Sequence, residues 1–233
     1  MSLLMLSLSL SIYIYIYFQF HVIHTNSLLL LKSESDLALI VQGYLGSIVD
    51  AQGLRELSTH VVAFYRSVMD DNSDIRDGSN CKPHFSLRTL CRSLIHVRSS
   101  CRMYGLNRAL FDGFCMNFQT LLDQRSGALM KRKIVENLFG SKGTGPVPSL
   151  PSLNALDREC YVSVLEFWLQ RGSLPLMEPT DYILTDSVKE NLRNILRAVV
   201  SANFPVLLQG PTSSGKTSMV EYLVSYKQIE SSN

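Results

Sequence analysis

The sequence predicts a mainly α fold with an incomplete α/β part towards its C-terminal end. Three observations predict it. Residues 33–139 carry apolar positions at helical spacing, and no alternating strand pattern interrupts them. A Gly-, Pro- and Ser-rich stretch over 140–154 then marks a boundary. Beyond it, the short apolar run Phe204–Leu208 leads into Gly210-Pro-Thr-Ser-Ser-Gly215-Lys-Thr217, followed by a helix-like stretch. That is the full Gly-x-x-x-x-Gly-Lys-Thr pattern of a P-loop, in a strand–loop–helix context. The expected division is 1–32, 33–139, 140–154, 155–226 and 227–233.

Met1–Leu31 contains no Asp, Glu, Lys or Arg and is long enough to cross a bilayer as a helix. It lacks a basic leading region and a small-residue cleavage site, and Ser11–Tyr17 alternates Ile and Tyr with period two. The expectation is a hydrophobic low-complexity segment read from non-coding sequence. A membrane or signal segment and a soluble strand are the alternatives.

From Ser33 the texture becomes helical. Ser35-Asp36 is the expected cap of a first helix with Leu37, Ile40, Val41, Tyr44 and Leu45 on one face. A second runs through Leu54, Leu57, Val61, Val62, Phe64, Tyr65 and Val68. Asp70–Asn80 reads as a loop. Pro83 and Ser86 open a third helix that buries Leu87, Leu90, Cys91, Leu94 and Ile95 and carries Arg88, Arg92, Arg98 and Arg102 on or near it. A fourth starts at about Asn107, with Leu110, Phe111, Phe114, Cys115, Phe118, Leu121 and Leu122 as its stripe. A last short one covers Met130–Phe139. Arg88 sits one turn into its helix, where a cation opposes the dipole. That placement hints at an anionic partner, against the plainer reading of a solvated arginine.

After the linker, Tyr161–Leu169 is a β-prone run with Trp168, the sole tryptophan, and is expected to form one strand. Tyr182–Thr185 leads into a helix over Asp186–Ala202, with Ser187 and Glu190 as its capping box. Val188, Leu192, Ile195, Leu196 and Val199 make its apolar stripe, and Lys189, Arg193 and Arg197 lie off it.

The loop carries the chemistry. Gly210 and Gly215 permit positive φ, so that successive N–H groups converge on phosphate oxygens. Lys216 supplies a mobile charge and the Thr217 hydroxyl a ligand for Mg²⁺. The expected phosphate-binding set is Gly210, Pro211, Thr212, Ser213, Ser214, Gly215, Lys216, Thr217 and Ser218, with ATP and Mg²⁺ as ligands. Composition narrows the rest. With 46% hydrophobic and 18% charged residues most of the chain should fold, and a net charge of +2 argues against an extended nucleic-acid surface. Five cysteines with no Cys-x-x-Cys pair argue against a disulfide framework or a zinc knuckle.

Tyr182-Ile-Leu-Thr-x-Ser-Val-x-x-Asn-Leu-Arg-Asn194 and Phe204-Pro-Val-Leu-Leu-Gln-Gly-Pro-Thr-Ser-x-Gly-Lys-Thr-Ser-Met-Val-Glu-Tyr-Leu223 resemble the midasin family of dynein-related AAA+ ATPases. Lys82-Pro-His-Phe-Ser-Leu-Arg-Thr-Leu-Cys-Arg92 and Leu110-Phe-Asp-Gly-Phe-Cys115 look like the helical lid of that family's first AAA+ module. The resemblance covers about 33–226. It implies a helical AAA+ lid followed by the first strand–P-loop–helix of the next P-loop NTPase module. It implies that Arg88 matches the lid arginine called sensor 2, which reaches a γ-phosphate, and that Tyr182, Ile183 and Leu184 lie beside the adenine. It also implies a nuclear setting and pre-60S ribosomal particles with their assembly factors as partners. A membrane is not an expected partner.

Only 17 residues follow Lys216, whereas a P-loop fold needs further parallel strands and a later acidic residue that orients Mg²⁺ and water. The expectation is therefore a partial midasin-like sequence with weak or no ATP hydrolysis of its own. The alternative is a non-catalytic helical interaction module with a relic P-loop, tethered through Met1–Leu31.

Overall fold

A computed structural model describes residues 33–69, 75–140, 160–171, 182–201 and 205–227. The expectations for 1–32, for the linker beyond Gly140, for Phe204 and for the tail from 228 lie outside the described residues.

Helix α1 spans Glu34–Leu45 and is capped by Ser33. The Ser33 hydroxyl accepts the Asp36 N–H at 3.2 Å, and the Asp36 carboxylate accepts the Ser33 N–H at 3.1 Å. The cap is therefore two residues earlier than Ser35: an Asp at the third helical position reaches back, as a capping-box Glu would. Helix α2, Ala51–Met69, buries Leu57, Val61, Val62, Phe64, Tyr65 and Val68, which is the stripe its spacing predicts.

Helix α3 spans Leu87–Tyr104, and the Thr89 hydroxyl accepts the Ser86 N–H at its start. It buries Leu90, Leu94 and Val97, while Cys91 and Ile95 are only half-buried. Gly105, at φ +76°, turns the chain directly into α4, Leu106–Phe114. The single long fourth helix expected from Asn107 breaks here. Cys115–Gln119 forms a π-turn, which inserts extra backbone into the helical register. Phe114 and Phe118 still stack, with centroids 5.8 Å apart, but Leu121, expected in the stripe, is 79% exposed. Helix α5, Gln124–Phe139, starts well before Met130 because Asp123 caps it, accepting the Ser126 N–H at 2.8 Å.

These helices enclose one apolar core. The Phe64 ring meets Phe114 and Phe118 edge-on at 5.3 and 5.1 Å. Gly113 lets α4 lie close against α3: a Cβ there would stand 2.9 Å from the Ser93 carbonyl oxygen and 3.0 Å from the His96 ring.

A second core lies beyond the linker. The expected single strand is a hairpin, β1 (Tyr161–Val164) antiparallel to β2 (Phe167–Gln170). Leu165 at φ +51° and Glu166 form a two-residue connection, the length that twisted hairpins favour. Helix α6 spans Asp186–Ser201, and its first turn is capped by Thr185, whose hydroxyl accepts the Val188 N–H at 3.3 Å. Ser187 and Glu190 do not make the expected box. Val199, expected in the stripe, is exposed, and Arg197, expected off it, is buried. Helix α7 spans Lys216–Lys227. Residues 205–208, expected as a strand, pair with no described strand, so no ladder defines them as one.

The two cores meet at the end of α3. The Tyr104 hydroxyl donates to the Trp168 carbonyl at 3.0 Å and accepts the Trp168 N–H at 2.9 Å. One hydroxyl thus closes the outer edge of β2 at that position. Among the described residues no helix is long and apolar enough to cross a membrane.

Candidate functional site

The loop before α7 is shaped by three local constraints. Gly215 takes φ +78° and Ser213 takes φ +62°, a left-handed position that a non-glycine residue adopts at a cost. Gly210 does not take the positive φ expected of it. A Cβ there would sit 3.2 Å from the Ser214 hydroxyl oxygen, an approach that a small rotation of that exposed side chain relieves. The Lys216 ammonium folds back over the loop and donates to the Gly210 carbonyl at 3.0 Å, the Pro211 carbonyl at 2.6 Å and the Ser214 hydroxyl at 3.1 Å. Pro211, Thr212, Ser213, Ser214, Thr217 and Ser218 are all exposed. The arrangement is a solvent-open loop, with a mobile cation across it and a helix N-terminus behind it.

The residues expected beside a base lie close to this helix. The Tyr182 ring stacks on Tyr222 of α7, with centroids 4.8 Å apart and planes 30° apart, and Tyr222 meets Tyr226 at 5.3 Å. Leu184 packs in the same cluster, while Ile183 is 81% exposed. Arg88 is elsewhere. It lies exposed in the first turn of α3, whereas that helix touches the second core through Tyr104. Sixteen residues of helix at 1.5 Å each put about 24 Å between those two positions.

Sequence reasoning missed a buried ionic cluster where the cores join. Asp112 of α4 accepts from Arg108 Nε on its own helix and from Arg197 Nε of α6, the latter at 3.0 Å. All three residues are 3–5% exposed. Arg197 also donates to Asn194 Oδ1 at 2.7 Å, and Arg108 to the Glu166 carbonyl at 3.3 Å while its guanidinium lies over the Phe167 ring. Beside them Arg193 grips the Glu166 carboxylate with two hydrogen bonds of 2.8 Å, and also meets Glu190. Arg193's hydrogen bonds hold the Glu166 carboxyl below the usual carboxylate range, against the opposing effect of burial. The Leu110–Cys115 motif contained the signal. Its Asp112 holds the ion cluster, and its Gly113 permits the helix crossing.

His96 of α3 is buried near this cluster, and its Nδ1 has no hydrogen-bond partner among the described residues. Burial lowers its pKa from 6.5 to about 4, the Asp112 carboxylate opposing and Arg197 assisting. As pH falls the unfolded chain therefore takes up the imidazole proton first, so stability declines below about pH 6.5. We expect urea unfolding to show a loss of about 2 kcal/mol between about pH 7 and pH 5 that His96→Gln abolishes. An unchanged slope in that variant would assign the acid sensitivity to other groups. Burial likewise pushes the Cys115 thiol up to about 12, which keeps it protonated and inert. No group of three or more His, Cys, Asp or Glu is placed to hold a metal ion among the described residues.

Comparison with known proteins places these elements. Residues 36–141 match the family model of the midasin AAA lid domain. The chain is 40% identical over 206 residues to a midasin from Dictyostelium discoideum, a match covering 83% of this chain and 3% of that protein. It is 27% identical over 219 residues to a midasin from Giardia intestinalis, covering 83% of this chain and 4% of that protein. The chain thus spans only a few hundredths of the length of these relatives. No solved structure matches it. The helical bundle is a midasin AAA lid, and the chain belongs to the midasin family of AAA+ proteins.

Proposed function

We propose that Gly210–Ser218 binds the phosphates of ATP with Mg²⁺, as the opening of an AAA+ module that follows the lid. The observation that carries this reading is the loop itself. Gly215 takes positive φ, and the Lys216 ammonium lies over the carbonyls of Gly210 and Pro211. Those carbonyl bonds are ones that phosphate oxygens can replace. The residues fit the group: Lys216 would meet β/γ-phosphate oxygens, the backbone N–H groups of 213–217 would line the loop, and the Thr217 hydroxyl would face Mg²⁺. The bound ion would neutralise phosphate charge and orient the γ-phosphate. Tyr182 and Leu184 would form an apolar wall for the adenine, against α7. Arg88, in the first turn of α3, would serve the γ-phosphate of a different site, the one belonging to the module whose lid this is. In the parent assembly these sites would power remodelling of pre-60S ribosomal particles in the nucleus.

The test is titration of the whole chain with a fluorescent ATP analogue and Mg²⁺. We expect binding in the micromolar range, weakened at least about a hundredfold by Lys216→Ala, which is about 2.7 kcal/mol of binding free energy. Thr217→Ala should chiefly reduce the Mg²⁺ dependence. Absence of binding to the unaltered chain, or equal binding by Lys216→Ala, would sink the reading.

A further inference from the structure

The charge along this chain is segregated more sharply than its net value of +2 suggests. Between Asp77 and Asp112 there is no Asp or Glu, yet Lys82, Arg88, Arg92, Arg98, Arg102 and Arg108 fall there. Arg108 is buried and paired within the ion cluster. The four arginines of α3 are all exposed, opposite the buried positions Leu90, Leu94, Val97 and Tyr104. At 100° per residue they fall within an arc of about 120°, so they form one stripe along the outer face. Among the described residues Arg88, Arg98 and Arg102 make no ion pair and no side-chain hydrogen bond. The dipole favours a cation near the helix C-terminus, which accounts for Arg102 but not for Arg88 or Arg92.

We propose that the part of this stripe from Arg92 to Arg102 docks an Asp/Glu-rich polypeptide segment. Arg88 is left to the phosphate role above, and the proposal does not depend on that role. The cations on α3 are all arginines, whose planar forks match carboxylates, and phosphates alike, two bonds at a time. Two observations favour an acidic polypeptide over a nucleic acid. No aromatic side chain is among the large apolar residues exposed on the described surface, so bases would find no stacking platform. The low net charge supplies no broad positive field for a long polyanion, whereas a short acidic segment meets the stripe alone. From Arg92 to Arg102 the helix rises about 15 Å, the reach of four or five extended residues.

Fluorescence anisotropy of the whole chain with a labelled peptide of about eight alternating Glu and Asp residues tests this, against a labelled oligouridine of equal charge. The acidic peptide should bind more tightly than the RNA and should weaken as salt rises. The double reversal Arg98→Glu, Arg102→Glu should reduce peptide affinity at least about tenfold, with Arg98→Lys, Arg102→Lys falling between. Both variants keep buried positions untouched, and their circular dichroism should match that of the unaltered chain. If that signal is lost on reversal, the lysine variant decides: its peptide affinity must still fall. The proposal is overturned by no peptide binding, by peptide affinity unchanged in both variants, or by tighter binding of the RNA, which would make the stripe a phosphate surface.

Discussion

Asp112→Ala should destabilise this chain by about 3–5 kcal/mol, because it leaves two buried guanidiniums without their shared carboxylate. Arg108 and Arg197 each approach Asp112 from a different element, and none of the three is more than 5% exposed. Of the contacts named above, Arg108 keeps the Glu166 carbonyl and the Phe167 ring face, and Arg197 keeps Asn194 and a Glu190 oxygen 3.8 Å away. The size of the effect reflects the cost of removing the carboxylate that two buried cations share, and does not measure what the cluster adds over apolar packing. Replacing all three together, with Asp112→Leu, Arg108→Met and Arg197→Met, should therefore recover much of the loss. Trp168 provides a local readout, since the only tryptophan sits in the hairpin that Arg108 and Tyr104 hold. Urea unfolding followed by tryptophan emission and by helical circular dichroism should coincide in the unaltered chain. In Asp112→Ala the emission midpoint should fall first, because the link between the two cores is the part removed. A loss below about 1 kcal/mol would show that the cluster is hydrated in solution and that its burial is not maintained.

Phe64→Ala should cost a similar amount, about 3–5 kcal/mol, through a different mechanism. Its ring is fully buried and touches Phe114 and Phe118 edge-on, so truncation removes apolar burial and two aromatic contacts and leaves a cavity. The site is poorly placed to collapse, because Phe114 immediately precedes the π-turn and Phe118 lies within it, where the backbone is held by its own hydrogen bonds. Phe64→Leu should recover more than half of the loss. Equilibrium urea unfolding measures both, and dye binding to exposed apolar surface should rise for the Ala variant. An Ala variant that loses under about 1.5 kcal/mol would mean the bundle relaxes into the space. Against a typical total stability of about 5–15 kcal/mol, either substitution removes a large share.

Which features could be read in advance follows from how local their causes are. The stripe of α2 was legible, since its burial depends on helical spacing alone. The positive φ of Gly215 was legible from the Gly-Lys-Thr motif, because its cause lies within a few residues. Two caps were misplaced by two residues each, because several neighbouring Ser, Thr and Asp side chains compete for the same N–H groups. The hairpin was missed because its turn contains Leu165 and Glu166 in place of Gly or Asn, and the Leu takes positive φ under tertiary constraint. Arg197 looked like a solvated residue because its partner Asp112 is 85 positions away. Leu121 looked buried because nothing in the spacing announces a π-turn.

By itself the sequence determined the helical class of residues 33–139, the Gly-x-x-x-x-Gly-Lys-Thr pattern at Gly210–Thr217 and the family, since these rest on periodicity and on short contiguous motifs. Only the tertiary structure decided that Asp112 joins two cores, that Gly113 is a crossing point and that Tyr104 closes the edge of β2. The physical reason is range. Propensity, capping and loop geometry act over a few bonds, whereas pairing a buried charge depends on which distant element folding brings against it.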